Sequence, residues 1–201
     1  GRSSYKLIPG LYRHPIKKSI EEIASLEIET ITRFRQRSIP FTEKSLNDDW
    51  GALFFMQHHR IPTRLLDWTE NPLISLYFAV MTAPCSRNDA GEVEFQEDAS
   101  VWTLDPEAWN KHALKHQSYD GGILETKDQE LNGYQPQTSF LKMNNHAVAL
   151  YGMHNSQRIV AQRGVFTIFG QNTDPMEDSY EKSHFPNKSL IKIILEKEKI
   201  P

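Results

Sequence analysis

The 201-residue chain holds one cysteine, Cys85, and that scarcity excludes an internal disulfide and a multi-cysteine zinc site. It fits a reducing cytoplasm. Pro84 and Ser86 flank the thiol, and neither is a base that would activate it as a nucleophile. Long apolar runs are also lacking. The longest, residues 73–83, is broken by Ser75 and Thr82 and is too short to span a bilayer. The first residues alternate polar and apolar without the apolar core of a signal peptide, so no membrane role is expected. Neither sign of charge dominates: 23 Lys and Arg stand against 26 Asp and Glu, a net charge of -3. No whole-surface attraction to nucleic acid follows. P-loop, GxGxxG, GxSxG and HExxH patterns are absent. His58 and His59 are adjacent, so on a helix they diverge, and His112 and His116 lack an intervening acidic partner. No metal is expected.

What is present suffices for folding. The hydrophobic fraction is 38%, with 10 Phe, 7 Tyr and 4 Trp, and a chain of this length buries a sizeable core. No repeat, low-complexity tract or linker divides it, so residues 1–201 read as one domain. Residues 1–15 read as loop with short extended pieces. Ile20, Ala24, Ile28 and Ile31 predict a helix over 20–38, capped by Ser19 and stopped by Pro40. A second helix is expected over 48–58. A third has Asn71 as cap and Pro72 in its first turn; Leu73, Leu76, Tyr77 and Val80 follow, and its apolar density predicts a central position. Residues 84–99 read as an exposed loop or hairpin, 101–104 as a strand and 109–117 as a short helix. Residues 120–145 read as a polar surface excursion, a lid or partner-binding loop. Strands at 165–169 and 190–195 close the chain. The expected class is α+β, with early helices packed on a mainly antiparallel sheet whose strands concentrate late.

The segment most suited to chemistry is 57–69, QHHRIPTRLLDWT, where residues 63–69 read as the connection between two packed helices. It gathers an amide, imidazoles, hydroxyls, guanidinium groups and a carboxylate. His58 reads as a general base or a cation toward phosphate, or else as a charge at the helix C-terminus. Arg64 precedes Leu65 and Leu66, so it must find acceptors from a buried segment, either structural carboxylates or a ligand. Asp67 orients His58, receives a ribose hydroxyl or pairs with Arg64. Trp68 reads as core or as a ligand platform. Arg33, Arg35 and Arg37 read as a solvated face.

The string QHHRIPTRLLDWTENPLISLYFA resembles the signature of the FRG domain family, close to QHxGxPTRLLDWT followed by a buried helix. Residues 5–14, YKLIPGLYRH, are similar to that family's early Leu-x-Pro-x-x-x-Arg segment, with Arg13 at its arginine. Residues 158–168, RIVAQRGVFTI, resemble its late R-x-x-x-Q-x-G-x-F-T element. Two departures stand out. The aromatic-Arg-Gly motif that names the family is matched only by Gly1 as its glycine, and Arg60 stands where the family usually has glycine. Some members have been linked to ADP-ribosyltransferase toxins in phage defence. The resemblance therefore implies an NAD-dependent ADP-ribosyltransferase-like domain, with NAD as substrate, a nucleic-acid or protein acceptor and a companion antitoxin. It assigns His58, Arg64, Asp67 and Gln162 to the chemistry, with Gln162 positioning the acceptor. Tyr12, Arg13, Thr63, Arg158 and Phe166 fall to the nucleotide: Arg13 or Arg64 for phosphates, Thr63 and His58 for ribose, Tyr12 or Phe166 for the nicotinamide ring. Such chemistry also needs a carboxylate, and Glu70, Glu125 and Glu130 are equally available. Two rival readings remain. One is a non-catalytic module that binds nucleotide or RNA phosphate through Arg13, Arg64, Arg158 and Arg163. In the other, the 57–69 segment is purely architectural, built on an Arg64–Asp67 salt bridge.

Overall fold

A computed structural model describes residues 1–41, 48–87, 93–136, 138–152 and 164–200. The protein combines helices with antiparallel sheets, the helices mostly early and the strands mostly late, which is the α+β class expected. Helix α1 (Ile20–Ser38) begins with a reciprocal cap: the Ser19 side chain accepts from the Glu22 amide, and the Glu22 carboxylate accepts from the Ser19 amide. Helix α2 (Asp49–His58) starts on the Asp48 side chain. Helix α3 (Pro72–Met81) starts on Asn71, with Pro72 in its first turn. Helix α4 (Pro106–Ala113) starts on Asp105, and α5 is Met176–Lys182.

Among the described residues, three small sheets carry the strands. The central one has the order β1 (Leu65–Thr69), β6 (Gly164–Ile168), β5 (Val148–Tyr151), all antiparallel. Strands β2 (Cys85–Arg87) and β3 (Val93–Phe95) form a separate pair, as do β4 (Ala99–Leu104) and β7 (Leu190–Leu195). The N-terminal segment runs beside β4: the Ser100 amide donates to the Gly1 carbonyl, and Arg2 bridges Ala99. The core lies between α2, α4 and the central sheet, where Leu53, Phe54, Leu65, Trp109, Leu150 and Ile168 are buried.

Three expectations change. Residues 63–69 are not merely a connection, because 65–69 form edge strand β1 of the central sheet. The pairing partner lies about a hundred positions later, with Asp67 opposite Phe166 and Trp68 opposite Val165. Helix α3 is not central. It packs on β4 and β1 along one face, with Ala79 buried, Val80 partly buried and Ala83 just beyond its end, and leaves Leu73 73%, Tyr77 58% and Met81 64% exposed. An all-round apolar helix suggests enclosure, but here one face meets the protein, with Ala79 buried and Val80 partly buried, while the opposite face stays exposed. Finally, residues 120–145 do not simply run over the surface: Leu124, Leu131 and Tyr134 are buried in the core.

Candidate functional site

The exit from α2 and the start of β1 supply most of the polar residues of interest. Helix α2 closes with a wrap-around pattern: the Arg60 amide donates to the Gln57 carbonyl and the Ile61 amide to the Met56 carbonyl, each at 3.0 Å. The residue at the left-handed position of this closure is Arg60, with φ +60°. The chain then turns through Pro62 into Thr63 and Arg64, both buried, and into β1.

Arg64 is fully buried, and each nitrogen of its guanidinium donates within the protein. Nε donates to Glu27 Oε1 at 2.7 Å, Nη1 to the Phe169 carbonyl and Nη2 to the Tyr134 carbonyl, both at 2.9 Å. The expected Arg64–Asp67 pair does not form. Extended residues three apart point to opposite faces of a strand, so Arg64 reaches inward to α1 while Asp67 is exposed. Arg64 therefore ties α1, β1 and two loops together instead of facing a ligand.

Asp67 is held differently. Thr63 Oγ1 donates to Gln57 Oε1 at 2.5 Å, and Gln57 Nε2 donates to Asp67 Oδ2 at 3.0 Å. Thr63 Oγ1 also accepts the Leu65 amide. The amide, hydroxyl and carboxylate of the motif thus form one hydrogen-bonded chain, with Asp67 at its outer end.

That outer end opens into a cleft of about 800 Å³ between α2, β1, α3, β4 and β6. Gln57, His58 and Arg60 line it from the α2 exit, Asp67, Trp68, Thr69 and Glu70 from β1 and its following turn, and Trp102 from β4. Phe166 and Phe54 form an apolar floor, their ring centroids 5.1 Å apart. A Cβ on Gly152 would stand 2.3 Å from the Phe166 ring, so the ring lies directly against bare backbone. Trp68 is half-buried and its Nε1 donates to Thr167 Oγ1 at 3.1 Å. Lys192 Nζ sits 5.4 Å from the Trp102 ring centroid, a cation–π contact. The cleft therefore offers two indoles, two carboxylates and two cation-forming groups.

The structure distributes the sequence-level candidates unevenly. His58, Asp67 and Phe166 line this cleft. Tyr12 does not: it is buried, its hydroxyl donates to the Gly170 carbonyl, its ring packs edge-on against Phe169, and burial pushes its phenol pKa upward. Thr63 acts beneath the cleft wall through Gln57, and Arg13 is exposed outside the cleft. Arg158, Gln162 and Arg163 lie outside the described residues. Of the three glutamates that sequence left equivalent, Glu70 lines the cleft, Glu125 pairs with Lys127 at 2.7 Å on an exposed loop, and Glu130 sits on the 3-10 turn over 129–134. Sequence reasoning gave no role to Gln57, Arg60 or Trp102. The spacing of Gln57 and Thr63 carries a signal only once the path of the chain from α2 back to β1 is known. Among the described residues, no group of three or more His, Cys, Asp or Glu is placed to hold a metal ion, and no helix is long and apolar enough to cross a membrane.

In comparison with known proteins, residues 1–88 match the family model of the FRG domain. This span contains the 5–14 and 57–69 segments that carry the resemblance, together with α1, α2, β1 and α3. No curated protein and no solved structure matches the chain.

Proposed function

We propose, for a chain whose residues 1–88 carry an FRG domain, that the cleft binds NAD and transfers its ADP-ribosyl group to an acceptor. One observation carries the reading: the carboxylates of Glu70 and Asp67 share one cleft with the indoles of Trp68 and Trp102. Its volume of about 800 Å³ lies in the range of pockets that enclose ligands, roughly 300–1,000 Å³.

The chemistry asks for few parts. The bond between the nicotinamide nitrogen and ribose C1′ breaks, and its electron pair leaves with the neutral nicotinamide. An oxygen or nitrogen of the acceptor then bonds to C1′ and releases its proton. Positive charge develops on the sugar meanwhile, and a carboxylate fixed beside it stabilises the transition state. Glu70 is the group we assign to that task. Asp67, oriented by Gln57, is assigned to ribose hydroxyls. The indoles offer flat apolar surfaces for the aromatic ends of the dinucleotide. His58 and Arg60 supply donors toward the pyrophosphate.

The test is calorimetric titration with NAD. Glu70→Gln and His58→Ala are expected to weaken or alter binding, whereas Tyr12→Phe and Arg13→Ala, outside the cleft, are expected to leave it unchanged. A folded wild-type protein that takes up no NAD contradicts the proposal.

A further inference from the structure

We infer that Arg60 is the residue through which this cleft distinguishes a phosphorylated nucleotide from an uncharged nucleoside. The inference rests on the reading of the cleft as a nucleotide site and names the group that sets its preference. Arg60 occupies the C′ position of the α2 closure at φ +60°. Glycine adopts that conformation without steric cost, and a residue with a Cβ does not. The closure accounts for the conformation; what it leaves unexplained is an arginine at a position that glycine fills more cheaply.

Strain alone does not decide the matter. Ser118, His184 and Lys188 also have positive φ, but of the four, Arg60 is the one that lines the cleft. It is exposed, and among the described residues no carboxylate lies within ion-pair distance of it. A cation near a helix C-terminus is favourable in itself, yet His58 already occupies the last turn of α2. The closure needs the left-handed backbone at C′, but it does not need an arginine there: glycine would serve it at lower cost. A planar guanidinium at the cleft wall matches what a phosphate needs: several donors in fixed geometry and a charge that does not titrate. His58 lines the cleft from the same exit, while Asp67 and Glu70 line it from β1 and the following turn. Phosphate is thereby assigned to the α2 exit and sugar to the β1 side.

The experiment is calorimetric titration of this chain with ADP, inorganic pyrophosphate and adenosine, as wild type, Arg60→Gly and Arg60→Lys. Wild type is expected to prefer ADP over adenosine by at least about tenfold, the effect of one charge-assisted contact. Arg60→Gly is expected to lose that preference with adenosine affinity unchanged, and to melt no lower than wild type. Arg60→Lys, which keeps the charge without the fork, should retain part of it. Three results overturn the inference: a wild type that binds neither ADP nor pyrophosphate, an Arg60→Gly that binds ADP like wild type, or a parallel loss of ADP and adenosine. Arg60-dependent ADP binding without nicotinamide release from NAD would support the inference and contradict the proposed reaction. Undiminished NAD turnover and ADP binding in Arg60→Gly would do the reverse.

Discussion

The Arg64 guanidinium donates to the Glu27 carboxylate at 2.7 Å, with both side chains shut away from solvent. Glu27 lies on the inner face of α1 and Arg64 just before β1, so this pair fastens the first long helix to the edge of the central sheet. Two backbone carbonyls accept from Nη1 and Nη2, so each guanidinium nitrogen has a partner, which makes the ion tolerable in an apolar interior.

Breaking this pair from one side leaves an uncompensated buried charge. Arg64→Ala or Glu27→Ala is expected to cost about 3–5 kcal/mol, while the double replacement Arg64→Met with Glu27→Leu should cost less than the two single losses added. Urea denaturation of the four proteins checks this. Loss of NAD binding in Arg64→Ala must be read against that loss of fold.

Arg60→Gly should move stability the other way. Relief of a left-handed non-glycine residue is expected to raise stability by about 1 kcal/mol, visible as a higher urea midpoint with unchanged slope. A lower midpoint would show that the arginine side chain contributes more to the fold than its backbone costs.

The histidine beside β5 predicts a pH dependence. Burial, reinforced by electrostatic repulsion from His112, Lys115 and His116, holds the His146 pKa below its ordinary value. Its Nδ1 is buried without a partner among the described residues, and its ring packs edge-on against Phe185. With the folded pKa depressed, the unfolded chain binds more protons as pH falls below about 6.5, so stability drops from there down to the lower folded pKa. His146→Gln is expected to lose less stability than wild type between pH 7 and pH 5, measured as urea midpoints. Equal losses in the two proteins would remove His146 as the cause.

Tyr12 separates the sequence-level assignment from the structural one. Its hydroxyl donates to the Gly170 carbonyl inside the core, so Tyr12→Phe is expected to cost about 1 kcal/mol of stability with no change in ligand affinity. A selective loss of affinity, measured on protein of equal fold, would restore Tyr12 to the site.

Local signals were legible in the sequence wherever the cause was local. Ser19 with Glu22, Asp48, and Asn71 with Pro72 each fix a helix start through side chains within a few residues. Strand β1 was hidden because Leu65 and Leu66 do not alternate with polar residues, and its pairing partner is remote. The position of α3 was misjudged because hydrophobicity does not say which face finds a partner, and here Ala79 does while Leu73 does not. In the site, several residues of the 57–69 segment line the cleft, but where each side chain goes depended on direction. Arg64 turns inward, Asp67 outward, and Gln57 joins Thr63 to Asp67 across two elements. Glu70 could be separated from Glu125 and Glu130 only in three dimensions.

The most direct test of the central claim is release of nicotinamide from NAD, followed by chromatography, for wild type and Glu70→Gln at matched melting temperature. The account predicts release by wild type and a rate lower by about 100-fold or more in the variant, the scale on which removal of one group stabilising a transition-state charge is felt. Equal rates in the two proteins, or no release by a folded wild type supplied with candidate acceptors, would contradict it.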